Sequence, residues 1–270
     1  MFSLVERQLI TDKAHQCLFT NAGEPARKYL MQDRGLGESV LREFHVGYMP
    51  DWVSHKLHGR IILPMYDPSG NLVVLNSRSL GEPTDEMPKY WHEHYIKSHF
   101  LYGVQQAKEA MRHFGFVVLC EGQIDVLQFH HHGVKNVVGL GSGNLSDVQR
   151  SVIYRYCEEI DLLLDRDENQ AGHKATTKII EEEMARGGVG TLGREAPSSC
   201  DKYEAKIIPI LIPQQYQPYK LDPDSFIMKY GIEEMKRVIR QQRASDGRPY
   251  LDEIIVWIRD KWRKERSKWH

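Results

Sequence analysis

The sequence predicts an α/β protein in which a mixed α+β segment precedes a parallel-sheet segment and C-terminal helices. Residues 60–80 show a hairpin pattern, and from residue 116 short apolar runs alternate with helical stretches. Alternating strands and helices are typical of a parallel sheet with crossover helices. We therefore expect an N-terminal α+β subdomain over 1–112, a parallel-sheet α/β subdomain over 113–225 and a C-terminal helical segment over 226–270.

The composition is that of an ordinary globular protein. Of its 270 residues 41% are hydrophobic and 27% charged, and the formal net charge is -1. A charge near zero does not by itself indicate a nucleic-acid binder, although basic residues can still form local patches. The cysteines, Cys17, Cys120, Cys157 and Cys200, form no CxxC pair, which argues against a zinc ribbon or a redox dithiol. Without a secretory signal or an apolar run of membrane-spanning length, we expect a cytoplasmic protein with no membrane partner.

The N-terminal segment is predicted to be helical up to about residue 48. Apolar periodicity over 24–30 and 38–44 indicates helices. The stretch RIILPMYDPSGNLVVLNSRSL then predicts two strands joined by a turn at 67–70. Residues 82–100 are polar and irregular, and 101–113 return to a helical pattern.

The remainder follows a strand–helix rhythm. Strands are predicted at 116–120, 134–140, 160–165 and 207–213, and helices at 124–131, 146–157 and 173–186. Residues 187–205 are rich in Gly, Ser and Pro and are predicted to form an extended loop. The amphipathic helix predicted over 249–270 ends in a basic cluster. It leaves two interpretations open, docking on the body of the protein or binding a helicase or nucleic acid.

Acidic residues follow three of the predicted strands. They are Glu121, Asp125, Asp165, Asp167, Asp222 and Asp224. The carboxyl ends of parallel strands share one edge of a sheet, so these side chains should converge. Carboxylate oxygens suit Mg²⁺ or Mn²⁺, and paired ions of this kind support phosphoryl transfer. A single Asp-x-Asp is more often a turn or a cap, and Asp222-Pro223 also fits a helix N-cap followed by proline, so the prediction of a metal site depends on the whole set.

The segments VVLCEGQIDVL and LLLDRDENQAGHKA resemble the TOPRIM domain shared by bacterial-type primases, topoisomerases and some nucleases. That pattern is a strand running into Glu-Gly with Asp four residues after the Glu, then Asp-x-Asp and Ala-Gly. YLMQDRGLGESVLREFHVGYMPD, HGRIILPMYDPSGNLVVLNSRSL, PKY, KSHFLYGVQQA and LDPDSFIMKYG are similar to successive segments of DnaG-type primases. The likeness therefore runs from about Tyr29 to Gly231. The chain departs from the pattern in a loop, DRDENQAG, that is two residues longer than usual, and in Trp91 and His92, which replace Leu-Asn.

This resemblance implies a DNA primase catalytic core, a nucleotidyltransferase that makes short RNA primers from ribonucleoside triphosphates on single-stranded DNA. It implies Glu121 as a metal ligand or general base and Asp165 and Asp167 as metal ligands, with the other three acids supporting a second ion or the outer shell. The basic and aromatic residues that it assigns to nucleotide or template binding are Arg60, Arg78, Lys89, Lys97 and Tyr90. Tyr90 and Trp91 leave two interpretations open, stacking on a base or packing at a sheet edge.

Two modules that often accompany this family are not indicated by the sequence. The chain has neither the cysteines of a zinc-binding module nor the G-x-x-x-x-G-K-[ST] motif of a helicase motor. We therefore expect template selection to depend on a separate zinc-binding protein or on looser rules, with a replicative helicase as a further candidate partner. The missing modules fit a stripped-down, phage-like replication system in a bacterial or virus-infected bacterial cell. Two alternative functions remain, a TOPRIM-family nuclease and a catalytically silent replication adaptor.

Overall fold

The computed structural model describes residues 2–50, 56–94, 96–166, 171–185 and 206–245. The predicted loop over 187–205, the predicted helix over 249–270, Asp167 and Cys200 lie outside these residues. The chain divides into two compact units. Unit 1 comprises 1–109 and 122–141, and unit 2 comprises 110–121 and 142–270. The three-part division expected from the sequence stays a prediction.

The helices and strands are as follows. The helices are α1 (Leu4–Leu18), α2 (Glu24–Arg27), α3 (Glu38–Glu43), α4 (Val104–Phe114), α5 (Gln123–His131), α6 (Asp147–Ile153), α7 (Ala171–Ala185), α8 (Pro223–Tyr230) and α9 (Ile232–Ala244). The strands are β1 (Gly47–Met49), β2 (Arg60–Tyr66), β3 (Leu72–Ser79), β4 (Tyr90–His92), β5 (Phe116–Cys120), β6 (Val137–Gly139), β7 (Glu159–Leu162) and β8 (Lys206–Pro209). A π-helical turn covers Lys28–Asp33, and 3₁₀ turns cover Asn21–Gly23 and Lys97–His99.

Unit 1 is built on an antiparallel sheet with the order β1-β2-β3-β4. The predicted hairpin is confirmed as β2 and β3. Asp67 closes its turn, because its Oδ1 accepts hydrogen bonds from the backbone N–H groups of Ser69 at 2.8 Å and Asn71 at 3.0 Å. Helix α1 packs on this sheet over a core of Ala14, Leu57, Ile62, Leu72 and Leu75.

Two sequence predictions for unit 1 are wrong at short strands. Gly47–Met49 was expected within a helical region, but forms β1 and pairs with β2 from Gly47↔Ile62 to Met49↔Arg60. Tyr90–His92 was expected to be irregular, but forms β4 and pairs with β3. Strands of three residues have too little pattern of their own. They exist because a distant strand supplies their hydrogen-bond partners.

Unit 2 contains the predicted parallel sheet. Strand β5 pairs in parallel with β7 from Phe116↔Glu159 to Leu119↔Leu162, and β7 pairs in parallel with β8. Strand β5 matches its predicted bounds. The ladder continues past β7, since the Leu163 N–H donates to the Leu119 carbonyl at 2.9 Å. Strand residues of this sheet are buried as expected for a sheet covered by helices, among them Val117, Val118, Leu119, Ile160 and Leu162.

Buried and partly buried ion pairs connect the helices of unit 2 to one another and to the sheet. Arg150 of α6 pairs with Glu183 of α7, and both side chains are almost fully buried. At the amino end of β7, Arg243 from the last turn of α9 pairs with Asp161 and Glu159, each at 2.5 Å. Within the described ranges, no helix combines the length and apolar character that a membrane span requires.

Candidate active site

Two of the predicted acids lie at the carboxyl edge of the parallel sheet in unit 2. Glu121 directly follows β5, and Asp165 follows β7 after two buried leucines; both are half-buried. Extending the register Leu119↔Leu162 places Glu121 level with Leu164, one residue before Asp165. The sequence prediction for these two positions is consistent with this register.

Asp222 reaches Asp165 by a route that the sequence does not reveal. Strand β8 ends at Pro209, so Asp222 is not at the end of a strand. Instead, Arg166 and Leu221 form an isolated antiparallel bridge, in which each backbone N–H donates to the other carbonyl at 2.9 Å. The residue before Arg166 and the residue after Leu221 face each other next to this bridge, and they are Asp165 and Asp222. Directly opposed residues in an antiparallel pair have Cα atoms about 4.5–5.5 Å apart, so the two acids are cross-strand neighbours.

Asp222 and Asp224 also shape the start of α8. The Asp222 Oδ1 accepts a hydrogen bond from the Ser225 N–H at 2.7 Å, and Pro223 occupies the first helical position, which confirms the N-cap interpretation. The other oxygen of Asp222 accepts no hydrogen bond from the described residues. Asp224 lies in the first turn of α8 with only 2% of its surface exposed, where the helix dipole stabilises negative charge.

The described acids do not form one dense cluster. Among the residues that the structure describes, no group of three or more His, Cys, Asp or Glu side chains is arranged to hold a metal ion; Asp167 is outside that search. Mg²⁺ is commonly held by only one or two carboxylates and keeps several waters. The oxygen donors of the neighbouring pair Asp165 and Asp222 therefore suit such an ion.

Two glycines explain the spacing of the acidic motifs. A Cβ atom at Gly172, in the first turn of α7, would lie 1.9 Å from the carbonyl oxygen of Asp165. A Cβ atom at Gly122 would lie 2.6 Å from Oδ2 of Asp125, the oxygen that accepts the Gly122 N–H at 2.9 Å. Asp125 is 5% exposed in the first turn of α5, as its spacing from Glu121 predicted. Glycine is thus required at Gly172, where the close atom belongs to the backbone, while at Gly122 a Cβ atom would displace the Asp125 carboxylate.

Unit 1 contains an alternating row of cationic and aromatic side chains. It consists of Arg34, Tyr29, Arg78, Tyr90 and Lys89, called here the cation–aromatic row. The Arg78 guanidinium carbon lies 5.3 Å from the Tyr29 ring centroid and 5.2 Å from that of Tyr90. Arg34 lies 5.3 Å from the Tyr29 ring, and Lys89 Nζ lies 5.6 Å from the Tyr90 ring. Sequence reasoning assigned Arg78, Tyr90 and Lys89 but missed Tyr29 and Arg34, which only the fold brings to the row.

Asp125 acts electrostatically on this row. The pKa of Tyr90 is raised above its usual value, mainly by partial burial; Arg78 opposes the shift, and Tyr29 and then Asp125 add to it. Arg78 Nη1 donates a hydrogen bond to the Tyr90 hydroxyl at 2.5 Å, while its buried Nε has no hydrogen-bond partner among the described residues. One acid of the TOPRIM-like motif therefore lies within electrostatic reach of the basic and aromatic residues of the same unit.

The other predicted binding residues differ in their environments. Arg60 is 2% exposed, and its Nη2 donates to the Pro88 carbonyl at 2.9 Å, so in this conformation it anchors the segment before Lys89. Lys97 is exposed in the 3₁₀ turn Lys97–His99. Trp91 packs on the unit 1 core beside Phe2, with ring centroids 6.5 Å apart, so for Trp91 the packing interpretation is confirmed. Tyr90 points to the other side of the strand and is 42% exposed.

Comparison with known proteins shows what this chain resembles. A Toprim-like family model matches residues 118–202, the stretch that contains Glu121, Asp125 and Asp165. Over most of its length, moreover, the chain resembles DNA primases. It is 26% identical over 269 residues to the DNA primase of Enterococcus faecalis, an alignment that covers 86% of this chain and 39% of that protein.

Solved primase structures share the fold. A DNA primase domain from Pseudomonas aeruginosa superposes with a TM-score of 0.70 at 19% identity, covering 89% of this chain and 79% of that one. A DnaG primase catalytic domain bound to single-stranded DNA gives a TM-score of 0.70 at 19% identity, covering 88% of this chain and 80% of that one. The predicted α/β fold and its resemblance to the DnaG catalytic core are thus confirmed. The chain spans 39% of the length of the Enterococcus relative and similar shares of several other curated primases that it matches.

Proposed function

We propose that this chain is the catalytic core of a DNA primase, which joins ribonucleotides into short primers on single-stranded DNA with the help of a divalent cation. The main support is the register that makes Asp165 and Asp222 neighbours, within a chain that resembles DNA primases over most of its length. An acidic pair at the carboxyl edge of a parallel sheet suits a cation that binds triphosphate oxygens.

In this proposal Asp165 and Asp222 hold Mg²⁺ or Mn²⁺, with Glu121, Asp167 and Asp224 completing or surrounding the site. Bound there, the ion would supply positive charge to the triphosphate, while a 3′-hydroxyl attacks the α-phosphate and pyrophosphate leaves. Glu121, half-buried at the end of β5, accepts the proton of that hydroxyl or serves as a further ligand. Asp125 orients the Glu121–Gly122 peptide by accepting the Gly122 N–H. Rate acceleration then comes mainly from positioning and charge stabilisation.

The cation–aromatic row is proposed to contact the DNA template. Exposed Tyr90 offers a face on which an unpaired base stacks, and Lys89 and Lys97 offer positive charge to the phosphates. The alternation of rings and cations in this row is typical of surfaces that bind single-stranded nucleic acid without reading its sequence. A related DnaG catalytic domain has been solved with single-stranded DNA bound, which supports this choice of ligand.

Partners and location complete the proposal. We propose that ribonucleoside triphosphates are the substrates, and that a replicative helicase or a separate zinc-binding protein directs the core to its template. Such a reaction takes place in the bacterial cytoplasm, whether the replication system is cellular or viral.

The test is RNA synthesis by the purified chain with single-stranded DNA, ribonucleotides and Mg²⁺ or Mn²⁺. We expect short RNA products, and we expect Asp165→Asn to lower their rate at least about 100-fold, because one anchor of the cation is lost. Asp147→Asn is the matched control, since that carboxylate is 75% exposed in α6. Circular dichroism checks that both variants stay folded.

Other outcomes point to the alternative functions. Shortened DNA in place of RNA would indicate a nuclease. DNA binding without any product, under either cation, would indicate an adaptor. Wild-type synthesis by folded Asp165→Asn would contradict the proposed role of the acidic pair.

A further inference from the structure

Arg166 lies between Asp165 and Asp167 in the sequence, and its side chain binds backbone carbonyl groups. Its guanidinium has five N–H donors. Each is directed at a main-chain carbonyl, at donor–acceptor distances from 2.5 to 3.0 Å, and the five acceptors are Ile212, Pro213, Tyr216, Pro218 and Tyr219. Among the described residues, the guanidinium makes no ion pair with a carboxylate.

These five carbonyls belong to one irregular segment. Residues 210–220 form neither helix nor strand, so their carbonyls have no ladder partners of the regular kind. Arg166 supplies five of the hydrogen bonds that these carbonyls accept, and others come from Gln242 to Leu211 and from Lys229 and Tyr230 to Gln217. The same segment leads directly into Leu221 and Asp222.

The backbone of Arg166 fixes the register at the end of this segment. Its N–H and carbonyl both pair with Leu221, each at 2.9 Å. In an extended pair, successive side chains point to opposite faces. The Arg166 side chain and the carboxylates of Asp165 and Asp222 are consequently on opposite sides of the bridge, so the arginine positions the acids without neutralising them.

We propose that Arg166 is a positioning residue for the cation site. Side chain and backbone act together, because the guanidinium holds 212–219 in place and the bridge then sets Asp222 beside Asp165. This inference rests on the proposed function, since it assumes that the two acids bind a divalent cation. Mutation of a group that orients a metal ligand without touching the metal typically lowers metal affinity 10–100-fold.

The experiment measures Mn²⁺ binding directly, from the electron paramagnetic resonance signal of free Mn²⁺ in a titration of the full chain. We expect Arg166→Gln to raise the Mn²⁺ dissociation constant about tenfold or more, because Asp222 is no longer held beside Asp165. Arg166→Lys retains one charged donor group and should fall between wild type and Arg166→Gln. In RNA synthesis the half-saturating Mn²⁺ concentration should rise in parallel, while the rate at saturating Mn²⁺ recovers.

Lys229→Gln provides the matched control. Lys229 Nζ also donates to this segment, to the Gln217 carbonyl at 2.7 Å, but from the exposed side and with a single bond. Its loss should leave the Mn²⁺ dissociation constant close to that of wild type. A purely structural arginine would lower the thermal unfolding midpoint without changing Mn²⁺ affinity.

The outcomes separate this inference from the function on which it rests. If Asp165→Asn abolishes Mn²⁺ binding while both folded Arg166 variants bind like wild type, the positioning role is refuted and the metal site survives. If wild type and Asp165→Asn bind Mn²⁺ equally, the metal site itself fails and the positioning role fails with it.

Discussion

At the scale of single residues, the acidic motifs depend on neighbours that carry no charge. Gly172 allows the first turn of α7 to approach the Asp165 carbonyl, where a Cβ atom would lie at 1.9 Å. Gly122 makes the same allowance for the carboxylate of Asp125. The Ala-Gly step of the TOPRIM-like pattern is therefore a packing requirement beside Asp165, and the Glu-Gly step leaves room for the Asp125 carboxylate.

Gly172→Ala should destabilise the protein by about 1–3 kcal/mol, as overpacked substitutions do. The direction is informative, because alanine is favoured over glycine in a helix by about 1 kcal/mol and would otherwise stabilise α7. Urea unfolding followed by circular dichroism measures the change. Gly81→Ala is the control, since a Cβ atom there meets nothing within 4 Å. Equal or greater stability of Gly172→Ala would show that α7 moves away from Asp165 without cost.

At the scale of elements, α1 is fastened to the antiparallel sheet through Glu93, which follows β4. This carboxylate is 3% exposed and accepts hydrogen bonds from Arg7 Nε at 2.8 Å, the Leu75 N–H at 3.0 Å and the Phe2 N–H at 2.9 Å. Three separate parts of unit 1 therefore depend on one buried charge. Removing one partner of such a network leaves the others unsatisfied.

Glu93→Gln should lower the free energy of unfolding by about 2–4 kcal/mol. The Gln amide carries no charge, and its NH₂ group would face the N–H donors that the carboxylate accepts in the wild-type protein. Chemical denaturation gives the value. Glu233→Gln serves as the control, because the Glu233 side chain is 75% exposed and pairs with Lys236 at 2.8 Å. It should leave the free energy of unfolding close to that of wild type. Similar curves for the two variants would mean that α1 contributes little to unit 1.

At the scale of the whole molecule, a net charge of -1 does not describe how charge is distributed locally. Glu121 and Asp165 lie at the carboxyl edge of the parallel sheet in unit 2, while unit 1 contains the cation–aromatic row. If the proposed function holds, DNA is attracted through a local patch of cations and not through the overall charge. The proposed DNA binding should therefore depend on a few particular cations.

Changing Lys89 and Lys97 to Gln should weaken binding to single-stranded DNA and reduce its salt dependence. Each lost phosphate contact lowers the slope of log K against log salt by about 0.7 for single strands. Fluorescence anisotropy at several salt concentrations measures this slope. Lys13→Gln, at an exposed position of α1, is the matched control and should leave the slope unchanged. If the double variant keeps the wild-type slope, neither Lys89 nor Lys97 contacts the phosphates of the DNA.

The sequence by itself determined the strand–helix rhythm and the local chemistry at strand ends. Strand β5, the hairpin of β2 and β3, and the N-cap at Asp222 follow from short-range patterns, because apolar runs, turn residues and caps act within a few positions. The placement of Glu121 and Asp165 also follows, since Glu121 comes directly after β5 and Asp165 comes after the apolar run that contains β7.

Only the tertiary structure decided which residues become neighbours across long separations. Strands β1 and β4 exist through their partners, Trp91 packs inward while Tyr90 faces out, and Tyr29 and Arg34 join the row only in the fold. Asp222 meets Asp165 through the bridge from Arg166 to Leu221, a pairing across 55 positions that no local pattern records. The physical reason is that register and packing are settled by hydrogen bonds and buried contacts between distant segments, which leave no periodic trace in the chain.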